Sequence, residues 1–244
     1  MELNIIDMYS DILNVYGDIG NLQTLKQRCE WRDINTNITR FTKDKDINLD
    51  VENTDIILIG GGSDYGQSIV SKHLLNQRNE LQEFIDDNGV ILTICGSYQM
   101  FGNLYLDANK NKIPCLELLD IETISEKDRF ISNIVLENNL GLNPETIVGF
   151  ENHGGRTYHD YDTLGDVKVG FGNNNKDEKE GLVYKNFIGT YLHGPLLPKN
   201  PHVTDKLISE ALKRKYGIDS LKPLNDTIEL NAHKKIVNRL LENK

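Results

Sequence analysis

Two short, mostly apolar runs in the first half of the chain each end in a glycine turn. The run 55–59 (Asp-Ile-Ile-Leu-Ile) leads into Gly-Gly-Gly at 60–62, and the run 90–94 (Val-Ile-Leu-Thr-Ile) leads into Cys-Gly at 95–96. A strand without polar alternation is buried on both faces, which is typical of parallel strands covered by helices. The polar, helix-like stretch 67–88 separates the two runs. The pattern therefore predicts an α/β fold with a doubly wound, mostly parallel sheet flanked by helices.

The second half of the chain has a different pattern from the first. From about residue 104, short strand-like pieces alternate with turn clusters, which predicts an antiparallel portion. These pieces are 121–123, 131–136, 146–150, 167–171 and 189–192, and amphipathic helices are predicted at 203–215 and 227–241. Since the composition marks neither a repeat nor a linker, we expect a single domain over residues 1–244.

Composition narrows the classes of function. The formal net charge of −10 disfavours a nucleic-acid partner, because phosphates require a basic surface. No apolar run is long enough to span a bilayer and the first residues do not resemble a signal peptide, so we expect a cytoplasmic protein without direct membrane insertion. The three cysteines form no Cys-x-x-Cys pair, which predicts neither a disulfide framework nor a metal site.

Cys95 is the first candidate for chemistry. It follows an apolar strand directly, and the next residues begin a helical stretch, so backbone N–H groups there are expected to point toward the thiol. Such groups activate a cysteine nucleophile and stabilise an oxyanion. The alternative is a small buried residue at a crowded strand–helix junction, as Cys29 and Cys115 are interpreted.

A cysteine nucleophile needs a base, which is usually histidine. His193 follows a predicted strand and precedes Gly-Pro, so it is expected to project from a strand end. His153 and His159, in the polar loop after 146–150, are the competing candidates, and sequence spacing does not decide among the three. The other histidines lie on polar helical stretches, where a solvated role is expected.

The Gly60–Gly62 turn is the candidate for the oxyanion site. Glycine allows close backbone approach, although an ordinary strand-to-helix turn explains the same residues. Neither a Walker motif nor a GxGxxG fingerprint occurs, so no ATP or dinucleotide site is predicted in this chain.

In these features the chain resembles the class I glutamine amidotransferases, in the branch of the cobyric acid and cobyrinic acid diamide synthases. The matching segments follow the family's order: the glycine loop at 60–64, the nucleophile turn at 93–99 and a late histidine at 190–195. The likeness to the free-standing glutaminase subunits of that branch covers nearly the full length of the chain. It includes the strings 16–21, 149–160 and 194–200.

The resemblance implies roles for six residues. Cys95 attacks the side-chain amide of L-glutamine, and His193 takes the thiol proton and delivers it to ammonia. Arg129, which without the likeness reads as a surface residue, holds the α-carboxylate of the substrate. The oxyanion donors are then Gly61, Gly62 and Gly96.

The resemblance also implies a partner. Ammonia passes to a Mur-ligase-like ATPase subunit in a heterodimer, which amidates the α-carboxyl of D-glutamate in lipid II. ATP and Mg²⁺ are expected on that subunit, with no cofactor in this chain. A lipid II-bound complex lies at the inner face of the membrane.

One position departs from the family pattern. Most class I members carry an acid two residues after the histidine, and Pro195 occupies that position here. The resemblance then implies a Cys–His dyad whose orienting acid comes from the partner. We therefore expect the isolated chain to be slow and the partner to raise its glutaminase turnover. The rival interpretations are a stand-alone cysteine hydrolase or peptidase of the same superfamily, and a non-catalytic scaffold.

Overall fold

The computed structural model describes residues 1–45 and 48–242. Four of the six strands of its mostly parallel sheet come from the first half of the chain. The strands in chain order are β1 (Glu2–Met8), β2 (Asn35–Phe41), β3 (Ile56–Ile59), β4 (Val90–Ile94), β5 (Leu104–Leu106), β6 (Glu122–Asn138), β7 (Thr146–Tyr158), β8 (Gly165–Val169), β9 (Lys179–Glu180), β10 (Leu182–Tyr184), β11 (Phe187–Thr190) and β12 (Leu192–His193). The helices are α1 (Ile19–Glu30), α2 (Asp64–Leu75), α3 (Arg78–Asp86), α4 (Gly96–Met100), α5 (Pro201–Tyr216) and α6 (Thr227–Glu242), with 3₁₀ turns at Val15–Gly17 and Leu197–Lys199.

The first sheet has the strand order β10-β11-β4-β3-β1-β2 within the described residues. Its pairings are parallel except that of β10 with β11. Every residue of β3 and β4 is buried, as their uninterrupted apolar sequences predict. Because the two strands are parallel neighbours, with Ile59 opposite Thr93, their carboxyl ends lie at one edge of the sheet. That edge brings the glycine loop and Cys95 together.

The second sheet is mainly antiparallel, with the order β12-β7-β6-β8-β9 and β5 parallel to β6. The mixed α/β architecture predicted from the sequence is thus confirmed. The expectation of two short pieces at 121–123 and 131–136 was wrong, because both belong to the 17-residue strand β6. A register shift between Ser125 and Phe130 interrupts its pairing with β7.

The predicted strand 189–192 also differs in the structure. The chain leaves the first sheet after Thr190 and enters the second at Leu192, so one apolar run serves two sheets. β11 pairs with β4, and β12 pairs with β7, where His193 lies opposite Phe150. This change of sheet carries His193 to the edge at which Cys95 lies.

A buried ion-pair cluster joins α1 to α5 and to the start of α6. Arg28, 2% exposed, donates two hydrogen bonds to Asp205 at 2.6 and 2.7 Å and two to Asp226 at 2.7 and 2.8 Å. Arg32 donates to the same Asp205 carboxylate at 2.7 Å. Burial lowers the pKa of Arg28, but its hydrogen bonds to the two carboxylates raise the pKa by more, and the net shift is upward. The guanidinium therefore stays charged.

We expect Arg28→Met to lower the free energy of unfolding by about 3 kcal/mol. The substitution removes both hydrogen bonds from Arg28 to Asp226 and leaves Asp205 with the bond from Arg32. Lys26→Met, on the same helix, is the matched control. Lys26 and Glu30 form an exposed pair at 3.5 Å, and such pairs contribute under about 1 kcal/mol. Urea titration of both variants measures the difference; equal losses would contradict the structural role of the cluster.

Candidate active site

Cys95 occupies a strained turn between β4 and α4. Its backbone has φ of +54° and ψ of −113°, a region that non-glycine residues rarely adopt. The surrounding backbone holds the turn: the Cys95 N–H donates to the Thr190 carbonyl at 2.7 Å. The Ser97 hydroxyl accepts from the Ile94 N–H at 2.9 Å and lies 3.0 Å from the Ile59 carbonyl. The thiol is thus lifted out of the sheet, as the sequence predicted.

His193 lies beside Cys95 with a carboxylate on its other side. Its Nδ1 is 3.2 Å from Oδ2 of Asp18, and since a carboxylate only accepts, the ring nitrogen donates. Burial lowers the pKa of His193, but hydrogen bonds to Asp18 and Cys95 outweigh it and raise the pKa to about 10. The ring therefore holds its proton at neutral pH. The protonated ring can pass its proton to a leaving group.

Asp18 offers an orienting acid within this chain, whereas the resemblance implied one from a partner. The residue precedes α1 and is buried, and its Oδ2 accepts from both His193 Nδ1 and the Gly61 N–H, the latter at 2.8 Å. Pro195, the family's usual acid position, does not supply this group. Asp18 belongs to the string 16–21 that carries part of the resemblance, which was the available signal. Its distance along the chain from His193 gave no reason to pair them.

Gly61 has a different role from the predicted one. Because its N–H donates to Asp18, it is not offered to an oxyanion. A Cβ at this position would lie 2.5 Å from Cε1 of His193 and 3.3 Å from Cβ of Cys95. The missing side chain is what allows the loop to approach the two residues. Gly62 lines the cavity in front of Cys95 and Gly96 follows Cys95 directly, so these two remain the predicted donors.

His153 lines the same cavity, but its ring contacts Tyr191 and the Gly155 carbonyl. Its ring stacks on Tyr191 at a centroid distance of 3.6 Å, and its Nδ1 donates to the Gly155 carbonyl at 2.9 Å. Burial lowers the pKa of His153. His159 lies against the Gly181 carbonyl at 3.2 Å. Of the three candidate histidines, the structure places His193 next to the thiol.

A cavity of about 310 Å³ opens in front of Cys95 and His193. This volume suits a small ligand. Arg129 lies at the exposed rim of the cavity, where its Nε donates to Asn152 Oδ1 at 2.8 Å and its Nη2 to the Asn152 carbonyl at 2.6 Å. Asn152 in turn donates to the hydroxyl of Tyr16. The guanidinium is therefore held in a fixed plane, a geometry that suits recognition of a carboxylate.

Sequence reasoning missed several residues of the cavity wall. They share polar side chains and lie on five separate elements, which only the folded chain brings together: Tyr16, Gln67, Gln99, Tyr105, Asn152. Within the described residues, no group of three or more histidine, cysteine, aspartate or glutamate side chains could hold a metal ion. No described helix has both the length and the apolar character needed to cross a membrane.

The raised pKa of His193 predicts a pH-dependent contribution to stability. A raised pKa means that the folded state binds the proton more tightly, at about 1.4 kcal/mol per pKa unit. The stabilisation is complete below the ordinary histidine pKa of about 6.5 and is lost as pH rises through the folded-state pKa of about 10. We therefore expect His193→Gln to destabilise the fold most at and below about pH 6.5, with the difference shrinking as pH rises through about 10. Urea titrations of both proteins across this range measure it; a pH-independent difference would contradict the assignment.

Comparison with known proteins places this arrangement in a family. A profile of the CobB/CobQ-like glutamine amidotransferase domain matches residues 4–201, a span that contains Cys95, Arg129 and His193. The chain belongs to this family. The resemblance drawn from the sequence motifs is thereby confirmed.

Relatives of this amidotransferase domain include GatD subunits and cobyric acid synthases. The subunit GatD of lipid II isoglutaminyl synthase (glutamine-hydrolyzing) from Staphylococcus aureus is 44% identical over 98% of this chain and 96% of its own length. The subunit of the same name from Streptococcus pneumoniae is 36% identical over 93% and 87%. The cobyric acid synthase of Listeria innocua is 30% identical over 76% of this chain, but over only 36% of its own length.

Solved structures support the amidotransferase fold. A glutamine amidotransferase from Thermotoga maritima covers 98% of this chain and 94% of its own at a TM-score of 0.53 and 17% identity. A second glutamine amidotransferase covers 84% and 98% at a TM-score of 0.54 and 11% identity. At these identities the likeness concerns the fold alone.

Proposed function

We propose that the chain is the glutaminase subunit of a lipid II isoglutaminyl synthase, hydrolysing L-glutamine to glutamate and ammonia. The observation that carries the proposal is the Cys95–His193–Asp18 arrangement, which opens onto a cavity with a guanidinium at its rim. The near-full-length similarity to two GatD subunits supports the choice of acceptor. A stand-alone peptidase needs no second subunit, whereas both relatives are named as subunits.

The chemistry follows from the positions of the side chains. The Cys95 sulfur attacks the side-chain amide carbon of glutamine, and the N–H groups of Gly62 and Gly96 stabilise the resulting oxyanion. His193, held by Asp18, gives its proton to the departing ammonia, which leaves a thioester on Cys95. His193 then takes a proton from water, the hydroxide attacks the thioester, and glutamate leaves. Arg129 pairs with the α-carboxylate throughout.

Ammonia has to reach an activated carboxylate, and this step requires a partner. Forming an amide from a carboxylate needs activation, and no Walker motif occurs in the sequence. The proposed partner is a Mur-ligase-like ATPase that carries ATP and Mg²⁺, forms a heterodimer with this chain and amidates the α-carboxyl of D-glutamate in lipid II. A lipid-borne acceptor would bring the complex to the inner face of the membrane.

The test uses the complex with glutamine labelled by ¹⁵N at the side-chain amide. We expect ¹⁵N to enter lipid II with wild-type complex, and Cys95→Ala complex to amidate lipid II from free ammonium but not from glutamine. Full glutamine-dependent amidation by Cys95→Ala would instead show a scaffold. Glutamine hydrolysis that is equal with and without the partner would contradict the coupling between subunits. Cleavage of peptides without a preference for glutamine would favour the general hydrolase.

A further inference from the structure

Gln67 lies between the two segments that carry the remaining oxyanion donors. It is in the first turn of α2, directly after the glycine loop, and its side chain is 2% exposed. Its Nε2 donates to the Gly62 carbonyl at 2.9 Å. On its other side the carboxamide lies against Gly96, where a Cβ would be only 1.8 Å from Nε2 and 2.1 Å from Cδ. One buried side chain thus spans the loop and the nucleophile turn.

Tyr105 holds the carbonyl end of the Gln67 carboxamide. The Tyr105 hydroxyl donates to Oε1 of Gln67 at 2.7 Å. The Gly62 carbonyl only accepts, so the NH₂ group of Gln67 faces it. The reversed amide would place two carbonyl oxygens against each other. The Gly62 carbonyl and the Tyr105 hydroxyl together set the orientation of Gln67.

The contact matters because it restrains the backbone on the C-terminal side of Gly62. On one side of Gly62, the Gly61 carbonyl accepts from the Val15 N–H at 3.0 Å, which fixes the peptide that carries the Gly62 N–H. A trans peptide is planar, so this N–H points away from Val15. On the other side Gln67 holds the following peptide, through the Gly62 carbonyl. A glycine without such a restraint samples many backbone conformations.

We propose that Gln67 is the positioning residue of the oxyanion site. It holds the glycine loop at a fixed distance from the Cys95–Gly96 turn, so that the Gly62 and Gly96 N–H groups converge on one point. This role rests on the proposed glutaminase function and adds a residue to it. Gln67 acts through these backbone groups, and its effect belongs to the step in which negative charge develops.

The test compares two reactions of Cys95. Hydrolysis of glutamine passes through an oxyanion, whereas alkylation by iodoacetamide forms the S–C bond by displacing iodide and needs none. For Gln67→Met we expect kcat for glutamine to fall by at least about tenfold, toward the 10²–10³-fold loss typical of one missing oxyanion donor. KM and the alkylation rate of Cys95 should stay close to wild type. Tyr105→Phe, which removes one of the two hydrogen bonds that hold the amide, should lower kcat in the same direction by less.

Gln82→Met is the matched control. Gln82 is on α3 and donates to Asp86 at 3.0 Å on the surface, so kcat should be that of wild type. An unchanged kcat in Gln67→Met would overturn the positioning role. A rise in KM alone would overturn it by indicating a substrate contact. A parallel loss of alkylation would overturn it by indicating a collapsed nucleophile turn. A wild-type chain that hydrolyses no glutamine, alone or with its partner, would remove the proposed function and this inference with it.

Discussion

Cys95→Ala is expected to lower glutamine hydrolysis by at least roughly 10⁴-fold, because no other group can form the covalent intermediate. The sulfur lies at the end of a strained turn, in a cavity with His193 at its side. The measurement is glutamate release at saturating glutamine, with circular dichroism to check the fold. Since Cys95 is already held at its position by backbone bonds, its truncation should leave the fold intact.

The other two thiols provide the controls for this variant. Cys29 and Cys115 are buried away from the cavity, and burial raises the pKa of Cys29 to about 12 and that of Cys115 to about 11. Neither is placed to react, so Cys115→Ala should keep activity within a few-fold of wild type. Loss of activity in Cys115→Ala with retention in Cys95→Ala would reverse the assignment of the nucleophile.

Asp18→Asn is expected to have the second largest effect, a fall in kcat of roughly 10³–10⁴-fold. An asparagine in place of the orienting acid holds a catalytic histidine in the wrong tautomer, and losses of this size follow in serine proteases. The variant also removes the negative charge that helps raise the pKa of His193, which should fall from about 10 toward its ordinary value. Kinetics and NMR titration of the ring measure the two effects.

The same variant distinguishes two sources of the orienting acid. If Asp18 supplies it, Asp18→Asn is impaired both alone and with the ATPase partner. If the partner supplies it, the complex keeps nearly wild-type turnover despite the substitution. Asp11→Asn, which changes an exposed acid of the same segment, should be close to wild type and controls for the loss of one charge.

The sequence predicted those features that depend on short segments. Apolar runs identified β3 and β4 because strands buried on both faces need continuous hydrophobic sequence. The turn at Cys95 followed from the strand end and the glycine after it. The likeness to amidotransferases then selected His193 and Arg129, which spacing alone did not.

Features that depend on tertiary contacts were not predicted from the sequence. Asp18 and His193 hydrogen-bond across most of the chain, and Gln67 contacts Gly96 from a neighbouring strand–helix unit. Nothing in the local sequence distinguishes Asp18 from a helix cap, or Gln67 from an ordinary helical glutamine. The change of sheet at Tyr191 was missed for the same reason, since one apolar run looks alike whether it enters one sheet or two.

The most direct test of the account is covalent labelling by the glutamine analogue 6-diazo-5-oxo-norleucine, followed by intact-mass analysis and peptide mapping. The account predicts a single adduct on Cys95 that excess glutamine blocks and that is lost in Arg129→Ala. Iodoacetamide should still alkylate Cys95 in that variant. Labelling of another residue, or labelling of Cys95 that glutamine does not block, would contradict the claim that this cavity binds glutamine for attack by Cys95.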